Sequence, residues 1–262
     1  MQMRPKTKKI LGVYTFIMFL FFYVPIIVLM VYSFNDSKTG TTWTGFTFDW
    51  YTQLFSNGQI LSATQNSLFI AVVTTVISAI IGTLAALALH RYEFPGKKFF
   101  DFLFYIPVVI PHVVVAVALL SLYGWLDVTL GTTTVIPGHV ALTTSYVIFV
   151  VMARLVRFDS SIEEAAKDLG ANGWHTFWRV TFPLIFPAIL AGSLLVFTIS
   201  LDEFNISYFT AGPGSDTLPV LVYSMVRQGI SPEINALSTI MILLIVIGVV
   251  AAGKGMGSSK QK

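Results

Sequence analysis

Cysteine is absent from the 262-residue chain, so no disulfide framework, thiolate metal site or cysteine nucleophile enters the reading. Charge is nearly as scarce. Asp, Glu, Lys and Arg together make up 11% of the residues, against about 25% in soluble domains, too few to clothe a water-facing surface. The four histidines, His90, His112, His139 and His175, fall in separate segments without ligand spacing, which argues against a metal centre. His112, beside Pro111, either faces a pathway or is a packed or interfacial histidine, and with no companion ligand the packed or interfacial reading is favoured. One string approaches a phosphate-binding loop, Gly248 followed by Gly253-Lys254. It fails, because Gly255 stands where Ser or Thr is required and no strand precedes it. What the chain has in excess is apolar surface: 55% hydrophobic residues and a mean hydropathy of +0.77. The class is integral membrane protein.

Six runs supply the about 20 mainly apolar residues that a spanning helix needs: residues 10–33, 68–89, 99–123, 135–153, 184–205 and 234–252. They are far too long for barrel strands and show no alternation. The predicted fold is an all-α integral membrane protein with six transmembrane helices, a five-helix core plus one N-terminal helix. The basic lead-in to the first run (Arg4, Lys6, Lys8, Lys9) resembles a signal peptide. The run is too long for one, and no small-x-small site precedes Asn35, so an uncleaved span is expected. Lys and Arg fall alternately on two sides. One side receives the N-terminus, Arg91, Lys97 and Lys98, then Arg154, Arg157, Lys167 and Arg179, and the tail Lys254, Lys260 and Lys262; the other receives Lys38 and Arg227. Both termini are therefore expected to be cytoplasmic.

The predicted organisation is residues 1–34 as cytoplasmic N-terminus and first helix, 35–63 as an extracytoplasmic loop, 64–252 as the transmembrane core, and 253–262 as a cytoplasmic tail. Gly, Ser, Thr and aromatic residues in the outer segment suit a folded loop or a short interfacial helix. Its Trp43, Trp50 and Tyr51 are candidates for the headgroup belt. Thr74, Ser78, Gly82 and Ala86 give the second span a smooth face, for packing inside the bundle or for a subunit contact. Pro107 and Pro111 predict a kink or a short interfacial helix before Pro111.

The polar loop at 154–183 contains "FDSSIEEAAKDLGANGWHTFWRVTFP". Ser160 with Glu163, or Ser161 with Glu164, has capping-box spacing. Ile162, Ala165, Ala166 and Leu169 make a small apolar face, and Gly170 is placed to end the helix in a left-handed conformation. Asn172 or Gly173 starts a second short helix with Trp174, Phe177 and Trp178 against the membrane or the bundle, and Pro183 stops it before the fifth span. A solvated amphipathic connector is the plainer alternative. The loop resembles the E-A-A loop of ABC importer permeases. Glu164, Ala165, Ala166 and Gly170 match its first half, and Val180, Phe182 and Pro183 a conservatively altered ending.

The resemblance implies a transport subunit of a binding-protein-dependent importer in a prokaryotic inner (plasma) membrane. Such a subunit is no enzyme and binds no cofactor. It works with an ABC ATPase dimer that carries ATP and Mg, a second homologous permease, an extracytoplasmic substrate-binding protein and the surrounding lipid; no nucleic acid is implied. Glu164, Ala165, Ala166, Gly170 and Pro183 become the ATPase-coupling residues. The stretches "SFNDSKTGTTWTGFTFDWYTQLFSN" and "SLDEFNISYFTAGPGSDTLPVLVYSMVRQGISPEINALSTI" further resemble spermidine/putrescine importer permeases, of the second-subunit type. Polyamines are the cargo this implies, with another small solute on the same scaffold as the alternative.

Asp202 and Glu203 close the fifth run, with Asp202 about 27 Å along it from Leu184. A carboxylate at depth marks a pathway; at the interface it snorkels or pairs with Arg227. Ammonium groups need carboxylates or carbonyls, and a methylene chain lies on aromatic faces with about 0.5–2 kcal/mol of cation–π attraction. Tyr208, Phe209 and Tyr223 are the candidates, although interfacial aromatics also serve as anchors. The turn Gly212-Pro213-Gly214 either touches the binding protein or only joins two helices. The rival classes are a secondary transporter with Asp202 and Glu203 as proton relay, and an assembly protein without transport.

Overall fold

The computed structural model describes residues 5–37, 42–229 and 232–258. The expectations for Arg4, Lys38, Lys260 and Lys262 fall outside the described residues. In chain order the helices are α1 (Pro5–Tyr32), α2 (Asp49–Ser56), α3 (Gly58–Arg91), α4 (Lys97–Val109), α5 (His112–Trp125), α6 (Thr132–Leu155), α7 (Ser161–Asp168) and α8 (Gly173–Thr176). A π-helical turn (Phe177–Thr181) joins α8 to α9 (Phe182–Asp202), followed by α10 (Asn205–Thr210), α11 (Leu218–Gln228) and α12 (Pro232–Ser258). Among the described residues there is one isolated bridge, Asn35 to Phe46, and no strand.

Among the described residues, four helical stretches are long and apolar enough to cross a membrane: Thr7–Tyr32, Gly58–Arg91, Thr132–Leu155 and Gly173–Asp202. A fifth arises if α4 and α5 count as one span, broken by a bend of 106°. The last predicted run lies in α12, where Pro232–Leu244 is the apolar stretch among the described residues. The bend falls at Ile110 and Pro111, both extended. Pro111 has no N–H to continue the ladder and forces its predecessor out of the helical region. Pro107 is accommodated inside α4, so the sequence-predicted break lies at Pro111.

The chain divides into two units, residues 62–221 and the segments on either side of them. In the flanking unit α12 packs on α1 and on α2. The segment after α1 is folded around Asn35, which is fully buried. Its Nδ2 donates to Thr42 O (2.7 Å), and its Oδ1 accepts from Thr44 N–H (2.9 Å). Trp50 Nε1–H donates to Asn35 O at 2.8 Å, and Tyr51 Oη lies 2.7 Å from Ser33 Oγ. Trp50 is buried, so this indole is not a headgroup-belt residue; its N–H found a carbonyl inside the loop, as buried indoles usually do. Tyr51 is likewise held by Ser33 and the Phe34 ring, which leaves Trp43 as the exposed member of the predicted set.

In the central unit, α6 is the buried core helix, packed on α9, α4, α5 and α10. The small face of α3 packs inside this bundle. Thr74, Ser78, Gly82 and Ala86 are all buried, and Ser78 Oγ lies 3.0 Å from Thr143 Oγ1 of α6. A Cβ on Gly82 would sit 2.7 Å from Val147 Cβ and 3.1 Å from Thr144 O, so only glycine permits this approach. The 212–214 turn joins α10 to α11, and Asn66 Nδ2 donates to Gly214 O and Asp216 O, each at 3.1 Å.

Candidate functional site

Two places in the central unit bring together polar groups from several helices. The first is the loop between α6 and α9. Neither predicted capping box forms. Instead Asp159 caps α7, its Oδ1 accepting Ser161 N–H at 3.0 Å. These bonds with Ser161 hold the exposed Asp159 carboxyl below the usual aspartate range. An aspartate one residue ahead of the serines outcompetes their hydroxyls for the same orphan amides.

The far end of α7 explains the Glu-Ala-Ala-x-x-x-Gly spacing. Gly170 has φ +86°, its N–H donates to Lys167 O (2.8 Å), and Ala171 N–H donates to Ala166 O (3.0 Å). This is a Schellman cap, in which the left-handed residue stands four positions after the one whose carbonyl is bridged. Asn172 then caps α8, accepting His175 N–H at 2.9 Å.

Pro183 does not stop this second helix. The helical run continues from Gly173 to Asp202, because the π turn at Phe177–Thr181 shifts the hydrogen-bond register just ahead of the proline. Phe182 N–H reaches back to Phe177 O, and Pro183 enters the first turn of α9, where its missing N–H costs little. Glu164 and Ala165 are exposed, and Leu169 is 90% exposed. Trp174 and Trp178 are exposed and in ring contact with each other, while Phe177 packs on the central core.

Glu163, for which the spacing predicts a capping-box contact with Ser160, instead points inward. Its side chain is 15% exposed, and its Oε1 is bound by Arg91 Nη2, the last residue of α3, and by Thr181 Oγ1 of the π turn. Arg91 Nη2 also donates to Thr181 Oγ1 at 3.1 Å. At the end of α6, Arg154 Nε donates to Leu184 O at 3.1 Å.

The second place lies where two helix breaks face each other. One is the bend at residues 110–111; the other is Glu203, extended at φ −72°, ψ 100° between α9 and α10. Glu203 is 5% exposed. Its Oε1 accepts Ile206 N–H at 3.1 Å, and its Oε2 lies 2.8 Å from His112 Nδ1. The imidazole and the carboxyl group thus share a hydrogen bond across the two breaks. Tyr208 and Phe209 follow on α10 with their rings in edge contact at 5.3 Å.

The adjacent acid differs. Asp202 is exposed, so the pair predicted from sequence separates into one buried and one open carboxylate. Tyr223 belongs to the other unit, where Arg227 stands over its ring at 5.7 Å. His112, expected to be packed or interfacial for want of a companion, has one in Glu203. A second buried histidine, His139 of α6, sits between Ser200 Oγ (2.8 Å) and Ser207 Oγ (3.1 Å), stitching α6 to α9 and α10.

The fold is that of the membrane subunit of an ABC importer. It is similar to a bacterial alginate ABC transporter solved in complex with an alginate-pentasaccharide-bound periplasmic protein, with a TM-score of 0.76 over 99% of this chain and 96% of that one at 20% identity. Residues 78–254 match the family described as binding-protein-dependent transport system inner membrane component, and the chain belongs to it. It is 41% identical over 232 residues, 88% of each chain, to the spermidine/putrescine transport system permease protein PotC of Escherichia coli K12. It is 44% identical over 86% of its length to the putrescine transport system permease protein PotI of the same organism, covering 82% of that protein. The chain is thus a multi-pass inner-membrane permease subunit, a transport component rather than an enzyme.

Proposed function

We propose that this chain is the permease subunit of an ATP-driven importer for polyamines. The observation that carries the cargo is the likeness along 88% of the chain to a permease named for spermidine and putrescine. Glu203 supports it: a buried acidic side chain just ahead of α10, which carries Tyr208 and Phe209, suits an ammonium group and a methylene chain. The proposed topology has six spans and both termini in the cytoplasm, supported by the Lys and Arg distribution. α12 is then the sixth span, and the 154–183 loop meets a cytoplasmic ATPase dimer.

In this reading Glu164, Ala165, Ala166, Gly170 and Pro183 belong to the coupling surface, where α7 with its exposed Leu169 enters a groove on the ATPase. ATP binding closes that dimer, α7 moves, and the bundle alternates its access together with a second homologous permease. A separate binding protein delivers the cargo from outside. Docking alone shifts nothing, so the two states must differ in free energy when nucleotide binds. The substrate pathway runs past Glu203, Tyr208 and Phe209, with Asp202 at its edge and Tyr223 as a further candidate.

Affinity purification of the tagged chain from its native membrane tests the assembly. Co-isolation of an ATP-hydrolysing subunit and a second permease is expected; isolation of this chain by itself would favour a secondary transporter. Glu164→Lys and Gly170→Pro are expected to leave the chain inserted and to abolish uptake at matched membrane levels. Wild-type uptake in either would end the coupling assignment.

A further inference from the structure

We infer that Glu163 is a positioning residue that latches the coupling loop to the second span, so that α7 moves α3 and α9 together. The inference rests on the importer reading above and extends it to a residue, and to a helix, that the loop motif does not include. Three elements meet at one carboxylate oxygen: α7 through Glu163, α3 through Arg91 and the π turn of the fifth span through Thr181, which is fully buried. Glu164, one residue on, is turned about 100° around the helix and is exposed. The two neighbouring glutamates therefore divide the work, one facing outward and one fastening the helix from behind.

The lengths of the attached helices make such a fastening consequential. Helix α3 has 34 residues, about 51 Å, so with a hydrocarbon core of about 30 Å its Arg91 end projects beyond the bilayer. The run from Gly173 to Asp202 has 30 residues, about 45 Å, and its far end abuts Glu203. A displacement of α7 is therefore passed at its base to two rigid rods, and one of them ends at the carboxylate site. α7 has eight residues, too few to persist as an isolated helix, so without the latch it could yield instead of transmitting. The π turn is the kind of irregularity that recurs at functional sites.

The test uses the whole importer, this chain with its partner permease, ATPase and binding protein, reconstituted in liposomes. The quantity read is spermidine imported per ATP hydrolysed. Glu163→Gln keeps the shape and removes the charge, and the ratio is expected to fall about 5-fold or more. Exchanging the charges in Arg91→Glu with Glu163→Arg is expected to recover most of it. A wild-type ratio in Glu163→Gln overturns the latch. So does a reduced yield of complex with an unchanged ratio, which is the mark of a merely structural contact, and so does a charge exchange no better than the single variant. Wild-type liposomes that import spermidine without needing ATP refute the importer reading itself, an outcome visible before any variant is made.

Discussion

Glu203 and Asp202 are neighbours in sequence with opposite fates. Glu203 is 5% exposed and has both carboxylate oxygens engaged, while Asp202 is open. Removing a partner from a buried polar group costs about 1–3 kcal/mol, so replacing the two acids should have unequal effects. Glu203→Gln is expected to raise the KM for polyamine uptake about 10-fold or more, and Asp202→Asn about 2-fold or less. Kinetics in energised membrane vesicles measure both, and equal effects would remove the distinction. His139 makes a contrasting case. It bridges Ser200 and Ser207 in the core, and bonds of this kind inside membranes average about 0.6 kcal/mol each. His139→Leu should lower the Tm of the detergent-solubilised protein by about 2–4 °C and leave cargo preference unchanged. A shifted preference would move His139 into the pathway.

Among elements, α7 and the turn that follows it are the most legible in the sequence. The position of Gly170 and the start of α8 at Gly173 followed from cap chemistry, because a left-handed residue and an asparagine cap have few substitutes. The N-terminal cap was misassigned, since Asp159 and the two serines offer similar oxygens to the same amides and sequence does not rank them. Pro183 was read as a stop because the π turn that absorbs it has no residue signature. The partners that Glu163 takes in place of Ser160 are illegible for a different reason: Arg91 and Thr181 lie 72 and 18 residues away. The same applies to His112 with Glu203, 91 residues apart.

The Asp159 cap carries a pH dependence. Its carboxyl is held below the ordinary value of 3.8 by Ser161, so the cap is fully present above that value and is lost as pH falls through the lower, folded one. Hydrogen-exchange protection at Ser161 should therefore persist at neutral pH and drop only in acid below the ordinary aspartate range. Asp159→Asn should flatten that dependence, and a drop already near neutrality would exclude Asp159 as its cause.

For the whole molecule, hydropathy alone identified the class and located the apolar runs, since a 20-residue requirement is hard to satisfy by chance. It could not describe the third run, which is two helices bent by 106°; composition reports that a stretch is apolar, not whether it is straight. The central claim is that ATP, spent on a partner subunit, drives polyamine inward through this chain. The most direct measurement is uptake of labelled spermidine into liposomes holding the purified complex and its binding protein. The account predicts uptake that requires ATP, persists when a protonophore collapses the proton gradient, and fails with a hydrolysis-deficient ATPase. Uptake that proceeds without ATP and disappears with the protonophore would contradict it.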